Sequence, residues 1–239
     1  MATAALVLAA CAPAVDVVPL PVGVADYQLG EAYRPAEDVT VVVRDAAATP
    51  EPGVYSVCYV NAFQTQPDES VDPGLLLAPD PGWPDEYLLD TTQRGALVER
   101  VEAVLERCDT AGFDAVELDN LDSWTRSGGH LDRQDTLAIA EAVADLAHAR
   151  GLAVGQKNTP ELTADEIAEV GFDFAVAEQC HEFDECAAYT DLYGDQVVAV
   201  EYSGTIEDIC ADPDRPAMTS LRDRDLVAPG SPGYVSGHC

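Results

Sequence analysis

Apolar runs recur along the chain, and each ends in a polar cluster. Two of them echo one another: Phe113-Asp114-Ala115-Val116-Glu117-Leu118-Asp119-Asn120 and Phe172-Asp173-Phe174-Ala175-Val176-Ala177-Glu178-Gln179-Cys180. Runs that are apolar at successive positions read as parallel strands buried on both faces. Eight segments have this character: Val24–Leu29, Val39–Arg44, Val54–Ala62, Ala115–Leu121, Ala153–Lys157, Phe174–Gln179, Val197–Tyr202 and Met218–Arg222. Helix patterns stand between several of them. Leu97, Val98, Val101, Val104, Leu105 and Cys108 share one face, and Gly112 follows. Leu137, Ala140, Val143, Ala144 and Ala147 share another, with Gly151 beyond. Thr163-Ala164-Asp165-Glu166 is a capping box ahead of a short helix, and Gly171 follows it. Alternating strands and helices predict an α/β fold with a mostly parallel sheet. Eight strand units predict closure into a (β/α)8, TIM-barrel-like single domain over residues 22–239. The segment between the first two strands is short for a full helix. Residues 66–84 are rich in Pro, Asp and Gly without a period, which predicts a long loop over one face.

The polar clusters at the strand ends carry the candidate chemistry. In succession they supply Asp26, Tyr27 and Gln28; Arg44 and Asp45; Tyr59, Asn61 and Gln64; Glu117, Asp119, Asn120 and Asp122; Lys157 and Asn158; Glu178 and Gln179; Glu201 and Tyr202; Arg222 and Asp223. So many polar groups at the C-terminal ends of barrel strands mark a polar site at that mouth. Hydrolysis of a glycosidic bond needs one carboxylic acid and a second carboxylate. Asp119 and Glu178 lie on the fourth and sixth strands, placed to face one another. Trp124, with Tyr27 or Tyr202, is expected to stack on sugar faces. Asp45, Asn61, Glu117, Asn120, Lys157, Asn158, Glu201 and Arg222 complete the expected substrate-binding set. Lys157 is the single lysine of a chain that otherwise uses arginine, which suggests a role particular to an ammonium. Other chemistries lack their patterns. Ser56 and Ser203 have no Gly-x-Ser-x-Gly elbow, the four histidines are scattered, and no His-Glu-x-x-His or phosphate-cradling loop is present. No cofactor is expected and no metal site is assigned, although a mouth rich in carboxylates has the chemistry for Mg²⁺ or Ca²⁺.

Charge narrows the partners. Forty-four Asp and Glu against twelve Lys and Arg leave a net charge of −32. That excludes nucleic acid, which requires basic patches, and favours a cationic ligand. Ala4-Ala5-Leu6-Val7-Leu8-Ala9-Ala10-Cys11 fits the apolar part of an export signal, and Leu8-Ala9-Ala10-Cys11 resembles a lipobox that would lipidate Cys11. Residues 1–21 are therefore expected to be export signal and linker. The mature protein is expected outside the cell or in the envelope as a monomer, touching membrane only through a lipid anchor. The six remaining cysteines, Cys58, Cys108, Cys180, Cys186, Cys210 and Cys239, form an even set that reads as disulfides. Fifteen pairings are open to six cysteines. Proximity favours Cys180 with Cys186; Cys210 with Cys239 would staple the C-terminus and leave Cys58 with Cys108. The two-residue Cys spacing of zinc sites is missing.

The chain resembles glycoside hydrolase family 114, the endo-α-1,4-polygalactosaminidases, from about residue 23 to the end. The resemblance is carried by the two strand motifs quoted above, by Gly151-Leu152-Ala153-Val154-Gly155-Gln156-Lys157-Asn158, and by Glu185-Cys186 and Glu201-Tyr202. It implies a barrel that cleaves α-1,4-linked galactosamine polymers internally with an acidic pair and no cofactor. It maps the nucleophile onto Asp119 and the general acid/base onto Glu178. De-N-acetylated galactosamine carries an ammonium, so the acidity of the chain would suit such a substrate. The competing expectation is a non-catalytic carbohydrate-binding envelope lipoprotein on the same fold.

Overall fold

The computed structural model describes residues 16–67 and 69–239. The expected export segment and Cys11 lie outside the described residues. All eight expected strands are present: β1 (Val24–Gln28), β2 (Val39–Asp45), β3 (Tyr55–Asn61), β6 (Ala115–Asp119), β7 (Ala153–Lys157), β8 (Phe174–Glu178), β9 (Val197–Glu201) and β10 (Met218–Arg222). Consecutive members pair in parallel around the barrel. Three short strands complete the set: β4 (Leu76–Pro79), β5 (Tyr87–Leu89) and β11 (Ser236–His238).

Helices connect the later strands: α1 (Arg94–Ala111), α2 (Ser123–Arg126), α3 (Arg133–His148), α4 (Ala164–Val170), α5 (Cys186–Tyr193) and α6 (Ile206–Ala211). Each boundary has a local cause. Gly112 and Gly171 adopt left-handed conformations that end α1 and α4. Thr163 and Glu166 form the reciprocal cap expected at the start of α4. No helix joins β1 to β2 or β2 to β3, so two crossovers of a full eightfold barrel are replaced by loops. No described helix is long and apolar enough to cross a membrane.

Alternation along each strand divides the core. One parity points into the barrel: Ala25 and Tyr27, Val41 and Val43, Val57, Ala115, Ala153, Phe174 and Val176, Val198 and Val200, and Met218 pack together. The other parity of β3, β6 and β7 packs on α1, α3 and α4 through residues such as Cys58, Val60, Val116, Leu118 and Val154. Burying each large apolar side chain contributes about 1.5–3 kcal/mol. Leu20, within the expected linker, is buried against the interior cluster, so the ordered body starts before the first strand.

The barrel does not close by a backbone ladder. The free edge of β10 is taken by β11, antiparallel, so β1 pairs with β2 alone. Arg222 bridges the seam instead. Its Nη1 donates to Asp26 Oδ1 at 3.0 Å and to the Tyr27 carbonyl, while Nε and Nη2 donate to the Val235 and Val227 carbonyls.

The stretch expected as a long loop contains regular elements. Asp72 caps a 3₁₀ turn over Pro73–Leu75, and β4 then pairs antiparallel with β5. Val71, Leu75 and Leu76 pack on the core and give this hairpin its footing. Three disulfides join Cys58 to Cys108, Cys180 to Cys186 and Cys210 to Cys239. They tie β3 to α1, close the loop after β8 and fasten the C-terminus to α6.

Candidate active site

The inward parity of β6, β7 and β8 delivers Glu117 and Asp119, Lys157, and Glu178 to the C-terminal mouth. Lys157, on the central strand of the three, is almost wholly buried. Its Nζ donates to Glu117 Oε1 at 2.7 Å and to the Tyr27 hydroxyl at 2.9 Å. The same nitrogen lies 3.1 Å from Asp119 Oδ1 and 3.4 Å from Glu178 Oε2. One ammonium thus touches three carboxylates. Burial disfavours its charge, but Asp119, Glu117 and Glu178 outweigh that and raise its pKa well above the ordinary lysine value.

The two outer carboxylates have matched supports. The Tyr59 hydroxyl donates to Asp119 Oδ2, and the Tyr202 hydroxyl donates to Glu178 Oε1. Burial, followed by the adjacent carboxylate, pushes both phenols upward, so they act as neutral donors. Asp119 also accepts from Asn120 Nδ2 at 3.1 Å. Burial alone would raise Asp119, but the Lys157 ammonium and the Tyr59 hydrogen bond hold it below the usual carboxylate value. Glu117 is raised, because its complete burial outweighs Lys157. Its Oε2 has no hydrogen-bond partner among the described residues. Because the Asp119 and Glu178 oxygens rest on one ammonium, they lie no further apart than 3.1 and 3.4 Å laid end to end.

A common backbone device turns the chain after each key residue. Asn120, Asn158 and Gln179 follow Asp119, Lys157 and Glu178, and all have positive φ, at 60°, 47° and 59°. Asn tolerates this region better than most residues. The turn lets Asn158 N and Gln179 N bond to the next strand, at Val176 O and Val200 O. Asn158 also accepts from Glu178 N at 2.8 Å and so fixes the end of β8.

These groups open into a cleft of ≈ 310 Å³ lined on its floor by Tyr59, Asp119, Lys157, Glu178 and Tyr202. Asn120 and Asn158 also line it. Other expected binding residues do not reach it. Tyr27 and Glu117 are fully buried beneath the floor, so Tyr27 presents no face to a sugar. Glu201 lies on the outward parity of β9. It is buried beside the Cys180–Cys186 disulfide and accepts from His181 N at 2.9 Å. Arg222 serves the barrel seam. Asp45 accepts from Ala47 N and Gln66 Nε2 and holds the loop after β2. Asn61 accepts from Asn120 Nδ2 at 2.8 Å and so positions a cleft residue from behind. Trp124 packs on the core with the Arg133 guanidinium over its ring.

Several cleft residues were not singled out from the sequence. Trp83 and Glu86 come from the turn between β4 and β5, and Arg126 from α2. Burial raises Glu86. Trp83 carried a usable signal, as one of two tryptophans, standing in a polar stretch unlike any core segment.

A model of glycoside-hydrolase family GH114 matches residues 9–239. No curated protein matches the chain at a significant level. Among solved structures, Ega3 from Aspergillus fumigatus in complex with galactosamine is 19% identical, with a TM-score of 0.78 over 97% of this chain and 98% of that one. The glycoside hydrolase domain of PelA from Pseudomonas aeruginosa is 17% identical, with a TM-score of 0.62 over 87% of this chain and 97% of that one. At such identities these two likenesses establish the fold.

Proposed function

The chain belongs to glycoside-hydrolase family GH114, and on that premise we propose that it cleaves α-1,4-linked galactosamine-containing polysaccharide within the chain, with Asp119 as nucleophile and Glu178 as general acid/base. The observation that carries the assignment is the shared ammonium, with Lys157 Nζ touching both carboxylates in an open cleft.

In the first step Glu178 gives its proton to the leaving glycosidic oxygen while Asp119 attacks the anomeric carbon. Glu178 gains a negative charge as Asp119 loses its own to an ester. Lys157 stays in contact with one negative member of this pair throughout, so the charge moves without uncovering the ammonium. In the second step Glu178 takes a proton from water, the water attacks the anomeric carbon, and Asp119 leaves as carboxylate. With Asp119 as nucleophile the course is two-step and retaining. The Ega3 structure holds galactosamine, which supports the same sugar class here. Amine-bearing residues suit a chain of net charge −32. Three disulfides, together with the apolar segment before Cys11, support export, with lipidation of Cys11 as the anchor.

The test is product analysis after incubating the mature protein with partly deacetylated α-1,4-galactosaminogalactan, beside Glu178→Gln. Oligosaccharides from the wild type and none from the variant are expected. Intact polymer from a folded wild type would overturn the assignment and return the protein to carbohydrate binding without catalysis.

A further inference from the structure

We propose that the turn of the β4–β5 hairpin is a sugar subsite, in which the Trp83 indole is the stacking face and Glu86 receives the amine of the stacked residue; the identity of the sugar rests on the reading above. Trp83 lines the cleft and is 58% exposed, in a fold that buries its other large aromatics more deeply, Phe183 and Tyr87 apart. An indole has only two side-chain torsions to fix and so costs little ordering entropy when a ligand covers it.

The turn is held rigidly. Asp80, whose side chain is wholly buried, accepts through Oδ1 from Gly82 N at 2.7 Å and Trp83 N at 3.1 Å. Its Oδ2 accepts from Arg126 Nε at 2.8 Å. Arg126 Nη2 then donates to Asn120 Oδ1 at 2.6 Å, and Asn120 donates to Asp119. An unbroken chain of hydrogen bonds therefore runs from the Trp83 backbone to the proposed nucleophile. Glu86 N closes the turn on the Trp83 carbonyl at 2.9 Å, and Gln64 Nε2 holds Glu86 Oε2 at 2.7 Å. A sugar laid by its apolar face on the indole lies in the cleft that Glu86 also lines, and the carboxylate attracts an amine at the sugar's edge. Asp80 and Arg126 are positioning residues for this subsite.

The experiment compares Trp83→Ala with Phe183→Ala on the polymer. Phe183 is equally exposed, at 59%, and does not line the cleft. W83A is expected to raise KM about tenfold, the loss of a good aromatic contact, with kcat changing less. F183A is expected to leave KM unchanged, and Glu86→Gln to raise KM for deacetylated polymer more than for acetylated polymer. Equal KM for W83A and F183A would overturn the subsite. A second readout stands even if the wild type cleaves nothing, an outcome that would remove the catalytic reading alone. Titrating Glu178→Gln with an α-1,4-galactosamine pentasaccharide should shift tryptophan emission to shorter wavelength, and the shift should vanish in Glu178→Gln/Trp83→Phe. An emission unmoved by saturating pentasaccharide, or moved equally in both proteins, would also overturn it.

Discussion

Lys157 Nζ lies 2.7 Å from Glu117 Oε1, which is sealed from solvent beneath the cleft floor that Lys157 helps to line. The outer carboxylates are arranged around this buried pair. Lys157→Met is expected to cost about 3–5 kcal/mol of stability, since it leaves buried carboxylates without their counter-ion. It should also lower kcat more than about 100-fold. Lys157→Arg should rescue neither, because a planar fork cannot replace a point charge that meets three carboxylates at once. Urea unfolding and kcat on the polymer measure both effects. A K157M protein of wild-type stability and rate would remove the ammonium from the mechanism.

Tyr59 donates to Asp119 and helps keep it below the ordinary carboxylate value. Tyr59→Phe should let Asp119 titrate higher. The acid limb of the kcat/KM profile, which reports the free enzyme, should then move to higher pH. A depressed carboxylate stabilises the fold above its unfolded pKa of about 3.9, and that contribution disappears as pH falls through the folded value. Y59F should therefore also begin to lose stability at a higher pH than the wild type. An unmoved acid limb would assign it to a group other than Asp119.

His181 Nδ1 lies 2.6 Å from Asp212 Oδ2, and this hydrogen bond raises the imidazole above the usual histidine value. The sign is opposite to that of Asp119. The pair's contribution is complete below the unfolded pKa of about 6.5 and disappears as pH rises through the raised value. NMR titration should find His181 above 6.5, and Asp212→Asn should bring it back down. The same value in both proteins would show that Asp212 does not set it.

Gly155 stands on the inward row of β7, paired in register with Phe174 of β8. A Cβ at this position would lie 2.5 Å from the Phe174 ring. Gly155→Ala should destabilise by about 1–3 kcal/mol through overpacking. Adding Phe174→Leu should recover part of that, because the two positions share one space. Additive effects in a double-mutant cycle would show that the ring has room to move.

The disulfides should differ in worth. Cys58–Cys108 spans 50 residues and Cys180–Cys186 spans 6. Loop-closure entropy gives about 4 kcal/mol for the first and about 2 kcal/mol for the second. Paired Cys→Ala variants compared by urea midpoint test the order, and a reversed order would point to native-state contacts around the short loop.

Much of this was legible in the chain. Continuous apolar runs located all eight barrel strands, since a strand buried on both faces needs no polar position until it ends. Capping residues marked α1, α3 and α4 because they satisfy groups only a few residues away. The strand-end carboxylates Asp119 and Glu178 and the single lysine announced themselves by type and place. Even the outward direction of Glu201 was available from parity along β9. The hairpin was missed because Leu75, Leu76 and Leu77 stand among Pro, Asp and Gly, too short a run for periodicity to separate from loop.

The sequence by itself determined the strands, the kind of chemistry and the candidate residues for it, because each depends on near neighbours along the chain. Only the tertiary structure decided which of those residues share a cleft. Lys157 meets Tyr27 across 130 residues and Glu117 across 40, contacts that exist only once the barrel has curled. The same closure buried Tyr27 and Glu117, took Arg222 for the seam, set Trp124 against the core and brought Trp83 to the rim. A side chain's exposure and partners are set by what distant segments place beside it, and strand pairing, which no local pattern encodes in full, makes that choice.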